Sequence, residues 1–78
     1  MDLYRSHFIN VRKEDEDKVT AILNRHDALG NLDDWTHCDV PIIDSNGERW
    51  TTFKIKPYIY EDFEAIVSEM KQAGIQIR

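Results

Sequence analysis

Three histidines, His7, His26 and His37, the lone cysteine Cys38 and the carboxylates around them are the groups in this chain with chemistry to offer. Imidazole titrates near neutral pH and, with thiolate and carboxylate, ligates transition metals. His37, Cys38 and Asp39 place three ligand types in a row. On a strand, however, neighbouring side chains leave from opposite faces, so His37 and Cys38 do not converge on one ion. His7 lies on the first strand and is separated from His37 by an intervening strand in the topology derived below. We therefore expect no metal and no cofactor. His26 continues an apolar helical stripe and reads as a residue at the boundary of the core.

Nucleophilic and acid–base chemistry fare no better. Cys38 is expected on a core face, where a thiol is an inert small hydrophobe. The paired acids Asp33-Asp34 and Glu61-Asp62 sit in loops or at a helix start, and nothing places an opposing acid or base against them. No P-loop, GxSxG or HExxH pattern occurs. The expectation is a protein that is not an enzyme.

The elements that must position these groups follow from periodicity and turn chemistry. Leu3 to Val11 is β-prone and free of Gly and Pro. Leu3, Ile9 and Val11 share one face with Arg5 and His7; Tyr4, Ser6 and Phe8 share the other, and either face is a candidate for the interior. A helix is predicted over Lys13 to His26, with Val19, Ile22, Leu23 and His26 on one stripe. The acidic block Glu14-Asp15-Glu16-Asp17 falls in its first turn, where carboxylates favour the helix dipole. Gly30 or Asn31 closes the segment.

Asn46-Gly47 then joins two strand-like runs, Trp35 to Asp44 and Glu48 to Tyr58. Asn-Gly suits a two-residue type I′ turn, in which both central residues take positive φ. That turn pairs Ile43 with Trp50, Val40 with Phe53, Asp39 with Lys54 and Cys38 with Ile55. It sorts Cys38, Val40, Ile42, Thr51, Phe53 and Ile55 onto a core face. His37, Asp39, Pro41, Ile43, Trp50, Thr52, Lys54 and Lys56 fall on an open face. A three-residue loop would mix the two sets. Pro41 cannot donate to a ladder, so the strand that carries it belongs at a sheet edge. A second helix, Glu61 to Ala73, places Phe63, Ile66, Val67 and Met70 on one stripe and stops at Gly74. Ile75-Gln76-Ile77 reads as a short last strand.

The order β-α-β-β-α-β predicts an α+β ferredoxin-like sandwich: a four-stranded antiparallel sheet, order 4-1-3-2, with two helices on one face. At 78 residues the chain is one domain with a modest core. The lone cysteine excludes an internal disulfide, so a partner chain is the natural supplement to stability. The free thiol, and an N-terminus without the basic and apolar segments of an export signal, set the expectation of a cytoplasmic protein. No apolar run approaches a membrane span.

With 15 acidic and 10 basic residues the net charge is −5, which opposes binding to nucleic acid or anionic lipid and favours basic partners. RNA-recognition domains share the predicted topology and stack bases on aromatics of the first and third strands. The third strand here, Glu48-Arg49-Trp50-Thr51-Thr52-Phe53-Lys54-Ile55, lacks their strand glycines. Acylphosphatases share the topology too, but Asn10-Val11-Arg12-Lys13-Glu14-Asp15 has no glycine where they carry a phosphate loop.

The expected function is a small acidic protein-binding module. By analogy of size and charge, its target would be a nucleic-acid-handling complex, inhibited in the manner of anti-CRISPR or anti-nuclease proteins. One expected contact patch is Trp50, Ile43, Lys54, Lys56 and His37 on the open sheet face. The other is Glu14, Asp15, Glu16, Asp17, Asp33 and Asp34, toward a basic surface. Self-association as a homodimeric regulatory or small-ligand-binding domain is the alternative, and an RNA-recognition-like single-strand binder the more remote one.

Overall fold

Asp44 builds the turn that sets the register of the sheet. The structure, a computed structural model, describes residues 5–78. Its elements are β1 His7–Arg12, a single 3-10 turn at Lys13–Asp15, α1 Glu16–Ala28, β2 Leu32–Ile43, β3 Arg49–Pro57 and α2 Tyr60–Gln72. Leu3 and Tyr4, expected on the first strand, lie outside the described residues.

The hairpin loop is one residue longer than a type I′ turn. Asp44 and Glu48 close it (Asp44 N–H to Glu48 O, 3.0 Å), and Gly47 N–H donates to Asp44 O at 3.0 Å. Asn46 keeps a negative φ, and only Gly47, at φ 80°, is left-handed. This is a type I turn followed by a glycine bulge, the usual three-residue hairpin loop. The Asp44 side chain holds it: Oδ1 accepts from Asn46 N–H at 2.9 Å and from Glu48 N–H at 3.0 Å. Asp at the first position of a type I turn, with Gly at the fourth, is the signal that overrides the Asn-Gly reading.

The longer loop pairs Ile43 with Arg49 and Ile42 with Trp50. A second irregularity follows between Cys38 and Ile42, so that Asp39, Val40 and Pro41 bulge from β2 opposite Thr51. Pro41 has no N–H to give, and a bulge relieves it of the need. Beyond it the pairs are Cys38 with Thr52, His37 with Phe53, Thr36 with Lys54 and Trp35 with Ile55. The expected β2 assignments therefore reverse. His37 and Trp35 lie on the face of Phe53 and Ile55, and Cys38 joins Thr52 on the other. Val40 and Ile42, expected inside, are exposed. Asp39 is not the partner of Lys54.

The sheet is three-stranded and antiparallel, order β1-β3-β2, with β2 at an edge. The four-stranded sheet is not formed. Where a fourth strand would lie there is one bridge, Val11 to Ile77, with reciprocal bonds between Asn10 and Arg78 of 3.0 and 2.9 Å.

Ile9 and Val11 decide which face of β1 is inside. They join Val19, Leu23, Leu32, Phe53, Ile55, Ile66, Met70 and Ile75 in one buried cluster. Both helices thus cover the same sheet face, while Phe8 on the other face is exposed. Each helix ends in a wrap-around bond: Asn31 N–H reaches His26 O at 2.9 Å, and Ile75 N–H reaches Met70 O at 3.0 Å. Gly74, at φ 83°, makes the second wrap feasible and turns Ile75 into the core.

His26 is buried at the helix–helix contact. Its Nε2 lies 3.0 Å from Glu69 Oε1, its Nδ1 lies 3.2 Å from Asn31 Nδ2, and Arg25 also bonds Glu69. A neutral ring satisfies both neighbours, donating at Nε2 and accepting at Nδ1. Burial, and then the adjacent Arg25 charge, hold its pKa below the ordinary 6.5, against a weaker opposing pull from Asp62. A histidine with a depressed folded pKa contributes stability above its unfolded pKa and loses it as pH falls toward the folded one. The urea midpoint is therefore expected to drop as pH is lowered through 6.5 and below, and the drop should shrink in His26→Gln. Equal slopes in the two proteins would refute this.

Candidate functional site

The register that reverses β2 also assembles a polar cluster where the start of α1 meets the β2 bulge. Lys13, just before α1, donates to Glu16 Oε2 at 2.7 Å and to Asp39 Oδ1 at 3.2 Å. His37 Nε2 lies 3.5 Å from Glu16 Oε2 and 2.7 Å from the Thr51 hydroxyl. The His37 ring stacks on Phe53 at 4.4 Å between centroids. Hydrogen bonds to Glu16, then to Asp39, raise the Lys13 pKa and keep it an ammonium. One ligand atom each from Glu16, His37 and Asp39 lie within 4.8 Å of one another.

This arrangement resembles a hydroxyl–imidazole–carboxylate relay in composition only. Thr51 is fully buried, so its hydroxyl cannot reach a substrate. Thr51 and Glu16 also both approach Nε2, whereas a relay needs the carboxylate on the opposite ring nitrogen. What the cluster can do is bind cations, and Lys13 is the cation it holds.

Trp50 forms a second centre. Alternation puts it on the open face, as expected, but its surroundings differ: it is only 2% exposed. Its Nε1–H donates to Asp44 Oδ2 at 3.0 Å. The guanidinium carbons of Arg12 and Arg78 lie over the ring, 5.6 and 4.6 Å from its centroid. The indole N–H, with backbone donors from Glu48 and Asn46 and the nearby Arg78, holds the Asp44 carboxyl below its ordinary range. Arg12 also meets Gln76 Oε1 at 3.0 Å and Glu48 at 3.3 Å, while its Nε is buried without a hydrogen-bond partner among the described residues. Trp50 is thus a sealed structural residue, and no partner surface is presented by its ring.

The rest of the expected open patch is dispersed. Lys54 is opposite Phe8 and Thr36 on the open face. Lys56 faces Asp34 and reaches Asp33 at 3.6 Å. His37 belongs to the helix-side cluster. Ile43 alone of the five is a large exposed hydrophobe, and it has neighbours that sequence reasoning placed inside. Val40, Ile42 and Ile43 are 70%, 45% and 64% exposed along the β2 edge.

The acidic set divides as well. Glu14 lies 3.9 Å from Arg12, Asp15 lies 3.9 Å from Lys18, and Glu16 is held by Lys13. Asp17 is exposed and makes no ion pair among the described residues. Asp33 and Asp34 sit at the far end of β2, roughly 20 Å of extended strand from the α1 start. These are two separate acidic groups, the first largely compensated. Two open grooves, one lined by Arg12, Lys13, Glu14, Glu48 and Arg49 and the other by Tyr60, Phe63, Glu64, Val67, Ser68 and Lys71, include none of His7, His37 and Asp39. No helix is long and apolar enough to cross a membrane among the described residues. Comparison with protein-family models, curated proteins and solved structures found no match.

Proposed function

We propose that this chain is a non-catalytic protein-binding module that takes a basic, extended segment of a partner along the outer edge of β2. The observation that carries the reading is the run Val40, Ile42 and Ile43, exposed on an edge strand. Edge strands are the ready templates for added chains, and solvent-exposed aliphatic side chains there are usually avoided. The regular ladder from Asp34 to Cys38 offers backbone partners, and the bulged half offers apolar side chains. Asp33, Asp34 and Asp39 border the edge and set the sign of the complementary charge. A target within a nucleic-acid-handling complex suits this charge, because such complexes expose basic surfaces. We read the β1-β3-β2 order with the Val11–Ile77 bridge as a ferredoxin-like sandwich with an abbreviated fourth strand.

Self-association through the same edge is the second reading, favoured by the same apolar run. Two copies paired antiparallel about Thr36 would set Asp33 against the other copy's Asp39. Like charges directly opposite are destabilising, which favours a basic partner over a second copy.

The test compares the chain with Val40→Asp/Ile43→Asp and with Asp33→Asn/Asp34→Asn. Capture from the native host should lose the partner in the first variant. In the second, binding should weaken and its salt dependence should decrease. Sedimentation should show a monomer. A partner retained equally by both variants would sink the reading, and a dimer lost in Val40→Asp/Ile43→Asp would replace it with self-association.

A further inference from the structure

We infer that Glu16, His37 and Asp39 form a divalent transition-metal site whose resident cation in the metal-free chain is the Lys13 ammonium. The inference shares Asp39 with the docking edge but does not rest on it, since it concerns the helix side of β2 and can be read without a partner.

Two elements supply the donors from three places. Glu16 comes from the first turn of α1, His37 from the regular part of β2, and Asp39 from its bulge. Tetrahedral zinc with bonds of 2.0–2.1 Å sets its ligand atoms roughly 3.3 Å apart. Glu16 Oε2 and His37 Nε2, at 3.5 Å, already have nearly that spacing. Asp39 completes a set within 4.8 Å, and it sits where the β2–β3 register is interrupted, with no ladder position to hold it back.

The donor set is selective. One imidazole with two carboxylates suits Zn²⁺, Co²⁺ or Mn²⁺ better than the all-oxygen shells of Ca²⁺ and Mg²⁺. Three protein ligands leave a fourth position for water, and a metal on His37 Nε2 would replace the Thr51 hydroxyl that now meets it at 2.7 Å. The second feature pointing to a cation is Lys13 itself. Its Nζ lies between two of the three ligands, 2.7 Å from Glu16 and 3.2 Å from Asp39, so the cluster already selects a positive charge at this position. A metal would also take the His37 imidazole nitrogen as a ligand, whereas the Lys13 ammonium bonds the two carboxylates. Cys38, next in sequence, is on the opposite sheet face and takes no part.

The probes are Zn²⁺ and Co²⁺ alone, added to the whole chain. Titration calorimetry should show one site, and bound Co²⁺ should give visible d–d bands. His37→Gln, and separately Asp39→Ala, should weaken binding by about tenfold or more, in line with the cost of disturbing a metal's ligand set. Lys13→Met should tighten it several-fold, because the competing ammonium is gone. Cys38→Ser should leave it unchanged. Asp39 is exposed and outside the core, so its variant keeps the test decisive if His37→Gln folds poorly. No binding by either the parent chain or Lys13→Met at millimolar metal would overturn the inference. So would affinity indifferent to Asp39→Ala, or d–d bands abolished by Cys38→Ser.

Discussion

Trp50→Ala is expected to destabilise the whole fold instead of merely uncovering a surface. A buried tryptophan truncated to alanine costs about 3–5 kcal/mol, with the lower end apt here because flexible guanidiniums can settle into part of the space. A domain of 78 residues has roughly 4–12 kcal/mol in all. The loss goes beyond ring area. Arg12 and Arg78 lose the face they lie over, and Asp44 loses the indole donor while still holding the turn. Trp50→Phe separates these contributions: it keeps an aromatic face for both arginines and removes the N–H. Urea denaturation followed by circular dichroism should rank the parent chain above Trp50→Phe and Trp50→Ala lowest. A Trp50→Ala chain of parental stability would mean the ring is not a structural centre. The lowered Asp44 pKa adds a pH signature. A carboxyl held below its ordinary value stabilises the fold above its unfolded pKa of 3.8 and loses that contribution as pH falls toward the folded pKa. The Trp50 cover should therefore loosen below about pH 4.

Phe53→Ala is expected to cost as much or more, about 4 kcal/mol, by a different route. Phe53 is fully buried at the middle of the central strand, on the helix side. Its ring stacks on His37 at an interplanar angle of 11° and lies 6.2 Å from Trp35. The ring belongs to the buried apolar cluster shared with Ile9, Ile55, Ile66 and Met70, so the cavity term is felt. The variant should lose about a third or more of the parent's unfolding free energy in urea denaturation, and Phe53→Leu should recover most of the loss. The two substitutions should also differ in their response to salt: high ionic strength screens the arginine and Asp44 cover of Trp50 and leaves an apolar core untouched. A Phe53→Ala protein that melts like its parent would contradict the packing described.

The elements were legible because each rests on a local period. Val19, Ile22, Leu23 and His26 mark one helix and Phe63, Ile66, Val67 and Met70 the other. Thr51, Phe53 and Ile55 alternate with Trp50, Thr52 and Lys54 on β3, and both faces of that strand are as the alternation implies. β2 has no such protection. Its period is broken twice, by the three-residue loop at Asp44 and by the bulge at Pro41, and each break changes which side chains share a face. Asp44 at the head of the turn was a readable signal, outweighed by Asn46-Gly47. The cluster of Glu16, His37 and Asp39 was not readable, since it exists only in the observed register. Nor was the burial of Trp50, whose cover comes from Arg12 at the end of β1 and from Arg78, both remote from it in sequence.

Asn46-Gly47 also bears on how the protein ages. Asn-Gly is the peptide link most prone to deamidation, because an unhindered glycine nitrogen can attack the asparagine side chain and close a succinimide ring. Here that nitrogen is engaged: Gly47 N–H donates to Asp44 O, and Asn46 N–H to Asp44 Oδ1. The main-chain carbonyl of Asp44, in the turn its carboxylate shapes, thus doubles as a chemical preservative. Covalent ageing at this link should follow the unfolded fraction of the protein more than its time in solution.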